Sequence, residues 1–214
     1  MASQTAQPAR TGAANTNPLT IGVLALQGDY DAHARAFKSS GAQTVLVRKA
    51  EELAELDGLV MPGGESTTML KFLEKNGFFE ALAEFASSKP VFATCAGSIL
   101  LAREVLNPEQ RSLGALDATV ERNAYGRQID STILTLPTEI PGGPLEMVFI
   151  RSPRITRVGE AVQVLARRDG FPTLVRQGHL LACTFHPEMT ADTRVQQLFL
   201  EIVRAHRRNA THHT

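Results

Sequence analysis

A single cysteine in a turn of small residues is the strongest candidate nucleophile in the sequence. Cys95 follows the apolar run Val91–Thr94, which predicts a buried strand, and precedes Ala-Gly-Ser at residues 96–98 and an apolar helical run at 99–102. Such a strand-to-helix turn exposes the nucleophile, and the first N–H groups of the helix favour the thiolate. The alternative is a small buried residue that happens to be cysteine. We expect Cys95 to be a nucleophile.

His186 is the histidine best suited to act as the base that a cysteine nucleophile needs. It ends the apolar run 180–185 and is followed by Pro187 and Glu188. Proline favours extended geometry in the residue before it, and residues two apart in an extended segment point the same way. Glu188 is therefore expected to accept the imidazole N–H and select the tautomer that faces the thiol. The alternative is that His-Pro-Glu simply caps a strand.

The other histidines are weaker candidates. His33 lies on the first predicted helix and His179 in a polar turn, and we interpret both as surface residues. Three more lie in the terminal helix or the tail: His206, His212 and His213. The cysteines and histidines show no paired ligand spacing, so no metal is expected. A phosphate-binding G-x-x-x-x-G-K-[ST] loop is not present in the sequence, and no cofactor is expected.

Two backbone segments are candidates for an oxyanion site. Acyl transfer to sulfur produces a tetrahedral oxyanion that needs two N–H donors, and the loss of one costs roughly 3 kcal/mol. The N–H of Ala96 is one candidate donor. An N–H of Gly63 or Gly64 is the other, since a glycine backbone can approach a ligand closely. A plain turn is the alternative for an isolated Gly-Gly pair.

The elements that carry these residues predict an α/β fold. Short apolar strands alternate with helices in the first half of the chain. This order is typical of a three-layer, flavodoxin-like, mostly parallel open sheet with helices on both faces. The carboxyl ends of its strands share one edge, where Gly63, Gly64 and Cys95 are expected to meet. Beyond Leu106, strands separated by turns predict an antiparallel extension in the C-terminal half, as an edge extension or a small second sheet, before a helix at 192–208.

Length and composition indicate one globular domain. We expect that domain at residues 19–208, between a disordered extension at 1–18 and a disordered tail at 209–214. Lys+Arg and Asp+Glu are both 22, so no net field attracts nucleic acid or an anionic membrane. Two cysteines in apolar surroundings suit a reducing compartment, and neither a membrane span nor the apolar centre of a secretory signal is seen. We expect a cytoplasmic protein.

Six motifs resemble the class I, triad-type glutamine amidotransferases, and they extend over nearly the whole predicted domain. They are IGVLALQGD at 21–29, MPGGESTTM at 61–69, TCAGSILLA at 94–102, ERNAYGRQIDS at 121–131, FIRSP at 149–153 and CTFHPE at 183–188. G-G-E-S-T-T and E-R-N-x-x-G-R-Q are far more specific than the triad. Within the class, these motifs are similar to those of the glutaminase subunits of pyridoxal 5′-phosphate synthase.

The resemblance implies a substrate and a partner. It implies that the Cys95 thiolate attacks the side-chain amide of L-glutamine, that His186 protonates the departing ammonia and then activates water, and that Glu188 orients His186. It also implies a glutamine pocket formed by Gly63, Gly64, Glu65, Arg122, Ile150 and Arg151. The ammonia would pass to a separate synthase subunit, docked on the side of the chain where Gln27 and Gly28 lie.

Three alternatives remain open at this point. The chain is another class I glutaminase subunit, a γ-glutamyl hydrolase, or a non-catalytic redox-sensing protein with an elbow cysteine. The His-x-Glu pair disfavours the last of these. The sequence also departs from the family at Ala93, where glycine is common, and in its polar N-terminal extension. We expect the extra methyl group of Ala93 to have small steric consequences and to leave activity intact.

Overall fold

A seven-stranded sheet forms the centre of the molecule, of which the computed structural model describes residues 17–124 and 131–211. The strands are β1 (Thr20–Leu24), β2 (Gln43–Val47), β3 (Gly58–Met61), β4 (Val91–Thr94), β5 (Ala102–Leu106), β6 (Leu116–Glu121), β7 (Ser131–Leu136), β8 (Leu145–Ile150), β9 (Arg154–Val158), β10 (Gln163–Arg168), β11 (Phe171–Gln177) and β12 (Leu180–Cys183). The α-helices are α1 (Tyr30–Ser39), α2 (Ser66–Leu73), α3 (Phe78–Ser88), α4 (Ala96–Leu101) and α5 (Arg194–Thr211), with short 3-10 helices at Ala50–Leu53 and Pro187–Met189.

The order of strands across the sheet explains how distant residues come together. The sheet runs β10-β11-β12-β4-β3-β1-β2. Strands β2, β1, β3, β4 and β12 are mutually parallel, whereas β11 pairs antiparallel with β12, and β10 pairs antiparallel with β11. The carboxyl ends of β3, β4 and β12 therefore lie side by side at one edge, which is where open α/β sheets bind ligands. The predicted flavodoxin-like fold with an antiparallel extension is confirmed.

Successive side chains of the buried strands pack alternately into two separate hydrophobic cores. In β4, Val91 and Ala93 pack in one core with helices α2, α3 and α4. Phe92, between them, packs in the other core with α1 and α5. There its ring contacts Phe37 and Phe199, with centroids 6.3 and 5.6 Å apart. Because successive strand residues point to opposite faces, one short strand binds both helical layers, which gives the predicted three layers.

Two small sheets complete the antiparallel part. A three-stranded sheet has the order β5-β6-β9, and β7 and β8 form a two-stranded sheet. The sequence analysis missed β5 and β9. Strand β5 starts at Ala102, directly after α4 ends, so no turn residue separates the helix from the strand. Strand β9 buries only Ile155, so its apolar pattern is weak.

The helix at the C-terminus is longer than predicted. Helix α5 extends to Thr211, so residues 209–211, which were expected to be part of a disordered tail, are helical. Near its end, Arg207 donates a hydrogen bond to the carbonyl oxygen of Asn17 (2.8 Å). The rest of the predicted extension and tail, residues 1–16 and 212–214, lies outside the described residues. Among the described helices, none has the length and apolar character needed to cross a bilayer.

Candidate active site

Cys95 lies at a strained turn between β4 and α4. Its φ of 46° and ψ of −107° fall in a region that non-glycine residues rarely adopt. The backbone is held there because the N–H of Cys95 donates to the carbonyl of Cys183 (2.9 Å), while the Ser98 hydroxyl donates to the carbonyl of Cys95 (2.6 Å). Gly97 must be glycine because a Cβ there would overlap the carbonyl group of Met61. The predicted strand–cysteine–helix elbow is present.

His186 follows β12, the strand next to β4, and its neighbours fix its position. The N–H of His186 donates to the carbonyl of Val148 (2.8 Å). The buried amide of Gln196 in α5 donates to the carbonyl of Pro187 (3.1 Å). The segment Pro187–Met189 is a 3-10 helix, so the predicted extended geometry is wrong beyond His186. Even so, His186 Nδ1 lies 2.7 Å from Glu188 Oε1, the pairing expected from the sequence.

The charges of this pair are stabilised by their neighbours. Burial by itself lowers the pKa of His186, but hydrogen bonds to Cys95 and Glu188 outweigh it and raise that pKa to about 10. Burial raises the pKa of Glu188, but hydrogen bonds from His186 and His33 lower it to about 2. The site therefore favours an imidazolium beside the ionised carboxylate of Glu188. An imidazolium in contact with the cysteine side chain can supply a proton to a leaving group.

Gly63 lies between the cysteine and the histidine. A Cβ on Gly63 would lie 2.5 Å from Cε1 of His186 and 3.2 Å from Cβ of Cys95. Gly64 has a φ of 149°, and a Cβ there would overlap the side-chain oxygen of Gln27. That oxygen accepts the N–H of Glu65 at 2.6 Å. The Gly-Gly loop thus lies beside Cys95, as predicted, and the hydrogen bond to Gln27 joins it to the loop after β1.

A cavity of about 230 Å³ opens beside Cys95 and His186. Its lining includes five residues predicted for the glutamine pocket, and it also includes Ala96, the predicted oxyanion donor. The five are Gly64, Glu65, Arg122, Ile150 and Arg151. The sixth predicted residue, Gly63, lies behind the cavity against His186. Four further lining residues were not singled out from the sequence: Ser66, Ile99, Asn123 and Pro153.

Opposite charges lie along the rim of this cavity. Arg122 donates to the Thr67 hydroxyl at 2.8 Å and lies 3.5 Å from Glu65 Oε1. Burial raises the pKa of Glu65, but hydrogen bonds from Thr68 and Thr67 lower it to about 2. The rim therefore presents a guanidinium and an ionised carboxylate, the two groups that complement the α-carboxylate and α-ammonium of an amino acid.

The opposite wall of the cavity comes from the end of β8. The carbonyl oxygen of Ile150 lies 4.0 Å from Cys95 Sγ. Arg151 has a φ of 44°, a second strained position next to the cysteine. Part of the ERNAYGRQIDS motif, residues 125–130, lies outside the described residues. Ala93, at the departure from the family pattern, is fully buried in the core, where its methyl group packs without a positive φ.

The structure corrects the interpretation of His33. It is fully buried rather than a surface residue, and its Nε2 lies 3.2 Å from Glu188 Oε2 and 3.1 Å from Thr94 Oγ1. A signal was available in the sequence, because His33 precedes the core residue Phe37 by one helical turn and so shares its face. His33 is therefore a buried neighbour of Glu188 and Thr94 that the sequence analysis did not identify.

An open parallel sheet with a strained cysteine and an oriented histidine–glutamate pair at its edge is the arrangement of a cysteine-dependent acyl-transfer enzyme. The chain belongs to the SNO glutamine amidotransferase family, which it matches over residues 23–205. The family predicted from the motifs is confirmed.

Two similar proteins from different bacteria have the same name. The chain is 60% identical over 186 residues to a protein of Koribacter versatilis named pyridoxal 5′-phosphate synthase subunit PdxT, covering 87% of this chain and 96% of that one. The protein of the same name from Thermotoga maritima is 48% identical over 189 residues, covering 87% of this chain and all of the relative.

Solved structures agree in fold. A crystal structure described as a glutamine amidotransferase is 47% identical and superposes with a TM-score of 0.80, over 86% of this chain and 98% of the other. A structure described as a putative GMP synthase protein from Thermoplasma acidophilum, with 17% identity, has a TM-score of 0.70 over 92% of this chain and 100% of the other. At that identity the second comparison shows the fold alone.

Proposed function

We propose that the chain is the glutaminase subunit of a pyridoxal 5′-phosphate synthase. It hydrolyses L-glutamine to L-glutamate and ammonia, and it delivers the ammonia to a separate synthase subunit in the cytoplasm. The observation that carries the proposal is the Cys95–His186–Glu188 arrangement at the sheet edge, in a chain 60% identical to a protein of that name.

Cys95 and His186 perform the chemistry in two halves. The thiolate attacks the side-chain amide carbon of glutamine, and the electron pair of the C=O bond moves to oxygen. As the tetrahedral intermediate collapses, the imidazolium gives its proton to the departing nitrogen, so ammonia leaves and a γ-glutamyl thioester remains on Cys95. The neutral imidazole then takes a proton from water, whose oxygen attacks the thioester. The second collapse releases glutamate and restores the thiolate–imidazolium pair.

Backbone N–H groups stabilise the oxyanion in both halves. Ala96, the residue after the nucleophile, begins α4 and lines the cavity, so its N–H is free of strand pairing and close to the reacting carbon. Gly63 and Gly64 supply the second donor from the loop after β3. Because an oxyanion forms only in the transition state and the intermediate, these donors lower the barrier rather than the KM.

Glutamine is held by its amino-acid end. Arg122 is the group that binds the α-carboxylate, and Glu65 lies 3.5 Å from it and receives the α-ammonium. Ile150 and Arg151 close the opposite wall next to the thiol. This places the side-chain amide at Cys95 and its charged end at the rim, a division of contacts that selects an amino acid with an amide-bearing side chain of fixed length.

The Gly-Gly loop connects the site to a partner. Gln27, in the loop after β1, accepts the N–H of Glu65 at 2.6 Å and packs against Gly64. A partner docked on Gln27 and Gly28 therefore contacts the segment that positions the oxyanion donors. We propose that the synthase subunit sets this loop, so that glutamine is hydrolysed when the ammonia has an acceptor.

Purification with a synthase subunit tests the proposal. The chain is assayed for glutamate release alone and with the synthase subunit, and a Cys95→Ala variant serves as the control for contaminating glutaminase. We expect low release from the isolated chain and a clear rise in the complex. Full activity without the partner would contradict the proposal that docking controls activity. No glutamate release in either sample would contradict the glutaminase function.

A further inference from the structure

The carboxylate of Glu188 lies between two histidines. Oε1 lies 2.7 Å from His186 Nδ1, and Oε2 lies 3.2 Å from His33 Nε2. The side chain of Glu188 is 1% exposed and that of His33 is 0% exposed. A carboxylate withdrawn from water in this way depends on nearby N–H groups, because a buried charge without compensation is strongly destabilising.

The chemistry of the three groups fixes the direction of the hydrogen bonds. An ionised carboxylate only accepts, so the His33 nitrogen that faces Glu188 must carry a proton. The same Nε2 lies 3.1 Å from Thr94 Oγ1, and Thr94 is itself fully buried. Nε2 of His33 thus has hydrogen-bond geometry with Thr94 Oγ1 and a close electrostatic contact with Glu188 Oε2. By geometry, Glu188 Oε2 and His33 Nδ1 have no hydrogen-bond partner among residues 17–124 and 131–211, so His33 is the polar contact that Oε2 has.

This contact connects helix α1 to both chemical elements of the site. Thr94 is the last residue of β4 and directly precedes Cys95, whereas Glu188 belongs to the 3-10 helix after β12. His33 thus contacts the residue next to the nucleophile on one side and the carboxylate behind the base on the other.

We propose that His33 is a positioning residue for the reaction: by holding Oε2 of Glu188, it directs Oε1 at His186 and keeps the imidazole aligned with Cys95. The proposal rests on the roles given above to Cys95, His186 and Glu188. His33 touches neither glutamine nor the reacting atoms. Its removal leaves the substrate contacts of Arg122 and Glu65 in place, so it acts on kcat and not on KM.

Two substitutions at residue 33 separate a donor from a space-filling side chain. His33→Leu fills much of the volume without a donor, whereas His33→Gln keeps an N–H group near the position of Nε2. With the synthase subunit present, we expect His33→Leu to lower kcat for glutamine hydrolysis by about 10- to 100-fold, the range found when the partners that orient metal-binding histidines are removed. KM should stay within about 2-fold, and His33→Gln should recover most of kcat.

Phe37→Leu is the matched control, since it perturbs the same buried face of α1 one turn away and touches no triad residue. We expect it to lower the melting temperature as much as His33→Leu does but to leave kcat unchanged. Equal losses of kcat in Phe37→Leu and His33→Leu would reduce His33 to a structural residue. Wild-type kcat in His33→Leu, or failure of His33→Gln to recover it, would also overturn the proposal.

A second readout does not depend on glutamine. The rate at which iodoacetamide alkylates Cys95 at neutral pH reports its pairing with His186, and mass spectrometry of the cysteine peptides distinguishes it from the fully buried Cys183. We expect slower alkylation of Cys95 in His33→Leu, and near wild-type rates in His33→Gln and Phe37→Leu. A chain that hydrolyses no glutamine but still shows this pattern would contradict the glutaminase proposal alone. Equal alkylation rates in all variants would contradict the role of His33.

Discussion

Gly63 is packed against the imidazole of His186 so closely that a Cβ at residue 63 would lie 2.5 Å from Cε1. The φ of Gly63 is not positive, so any L-residue could adopt its backbone conformation. Glycine is needed at this position because of the contact with His186. The loop proposed to supply oxyanion donors therefore also restricts the space available to the imidazole of His186.

Gly63→Ala should therefore inactivate the enzyme without unfolding it. The added methyl group displaces His186 by about 1 Å, and a displacement of that size costs about 100-fold in rate. Steady-state glutamine hydrolysis in the presence of the synthase subunit measures the loss. Gly41→Ala is the control, because a Cβ there meets nothing and its cost is only the strain of a φ of 89°. Retained kcat in Gly63→Ala would show that His186 has room to shift.

Cys95→Ala and His186→Asn should each abolish glutamine hydrolysis while the fold remains intact. The first removes the nucleophile and the second removes the proton carrier, and either loss typically costs about 1,000-fold or more. Circular dichroism and thermal melting verify the fold, and glutamate release measures the activity. Turnover close to wild type in either variant would contradict the thioester mechanism.

Arg122→Ala should raise KM for glutamine more than it lowers kcat. Arg122 lies at the cavity rim with Thr67 and Glu65, and its proposed role is to contact the charged end of the substrate in both the ground state and the transition state. A charged hydrogen bond of this kind contributes about 1.5–3 kcal/mol, or roughly 10- to 100-fold in KM. Arg157→Ala serves as the control, since Arg157 pairs with Asp117 outside the cavity. An unchanged KM in Arg122→Ala would exclude Arg122 from the pocket.

Glu188 should make stability depend on pH in the acid range. Burial raises the pKa of Glu188, but hydrogen bonds from His186 and His33 lower it from 4.5 to about 2. The ionised carboxylate therefore stabilises the folded state above pH 4.5, and this contribution is lost as the pH falls towards 2. We expect the wild type to lose on the order of 2 kcal/mol relative to Glu188→Gln over that range. Urea unfolding at a series of pH values measures the difference, and a constant difference would contradict the assignment.

His186 should make stability depend on pH in the alkaline range, where its contribution to the stability of the fold decreases as the pH rises. Its pKa is raised from 6.5 to about 10, because its hydrogen bonds to Cys95 and Glu188 outweigh burial. The imidazolium therefore stabilises the fold fully below pH 6.5, and that stabilisation disappears as the pH rises through 10. Urea unfolding of the wild type and His186→Gln should show a stability difference that narrows between these two pH values. A difference that widens with pH would mean that the folded state favours the neutral ring.

The sequence predicted the parts of the molecule that depend on local pattern. Val91–Thr94 is apolar on both faces and is followed by small residues, so both the buried strand and the turn at Cys95 could be recognised. Strand β5 could not be recognised, because Ala102–Leu106 follows a helix without any Gly or Pro to separate them. Strand β9 presents one buried residue, which is too few for an alternating pattern.

Contacts within the site could be predicted where both residues of the pair lie in one short segment. His186 and Glu188 are two residues apart, so their contact followed from short-range geometry even though the 3-10 helix at Pro187–Met189 was not expected. His33 was misinterpreted because its partner, Glu188, is far away in the sequence. Only the packing of α1 against the end of β12 brings them together, and a histidine on a helix face gives no sign of which groups cover it.

The neighbouring positions of β4 and β12 in the sheet have a consequence during protein synthesis. Cys95 is synthesised before β12, so the strand that precedes the proposed base, His186, can pair with β4 only later in synthesis. A chain that has not yet reached His186 therefore carries the thiol without its proposed base, and we expect it to release no ammonia. The order of strands thus makes catalytic competence a late event, reached when the domain is nearly complete.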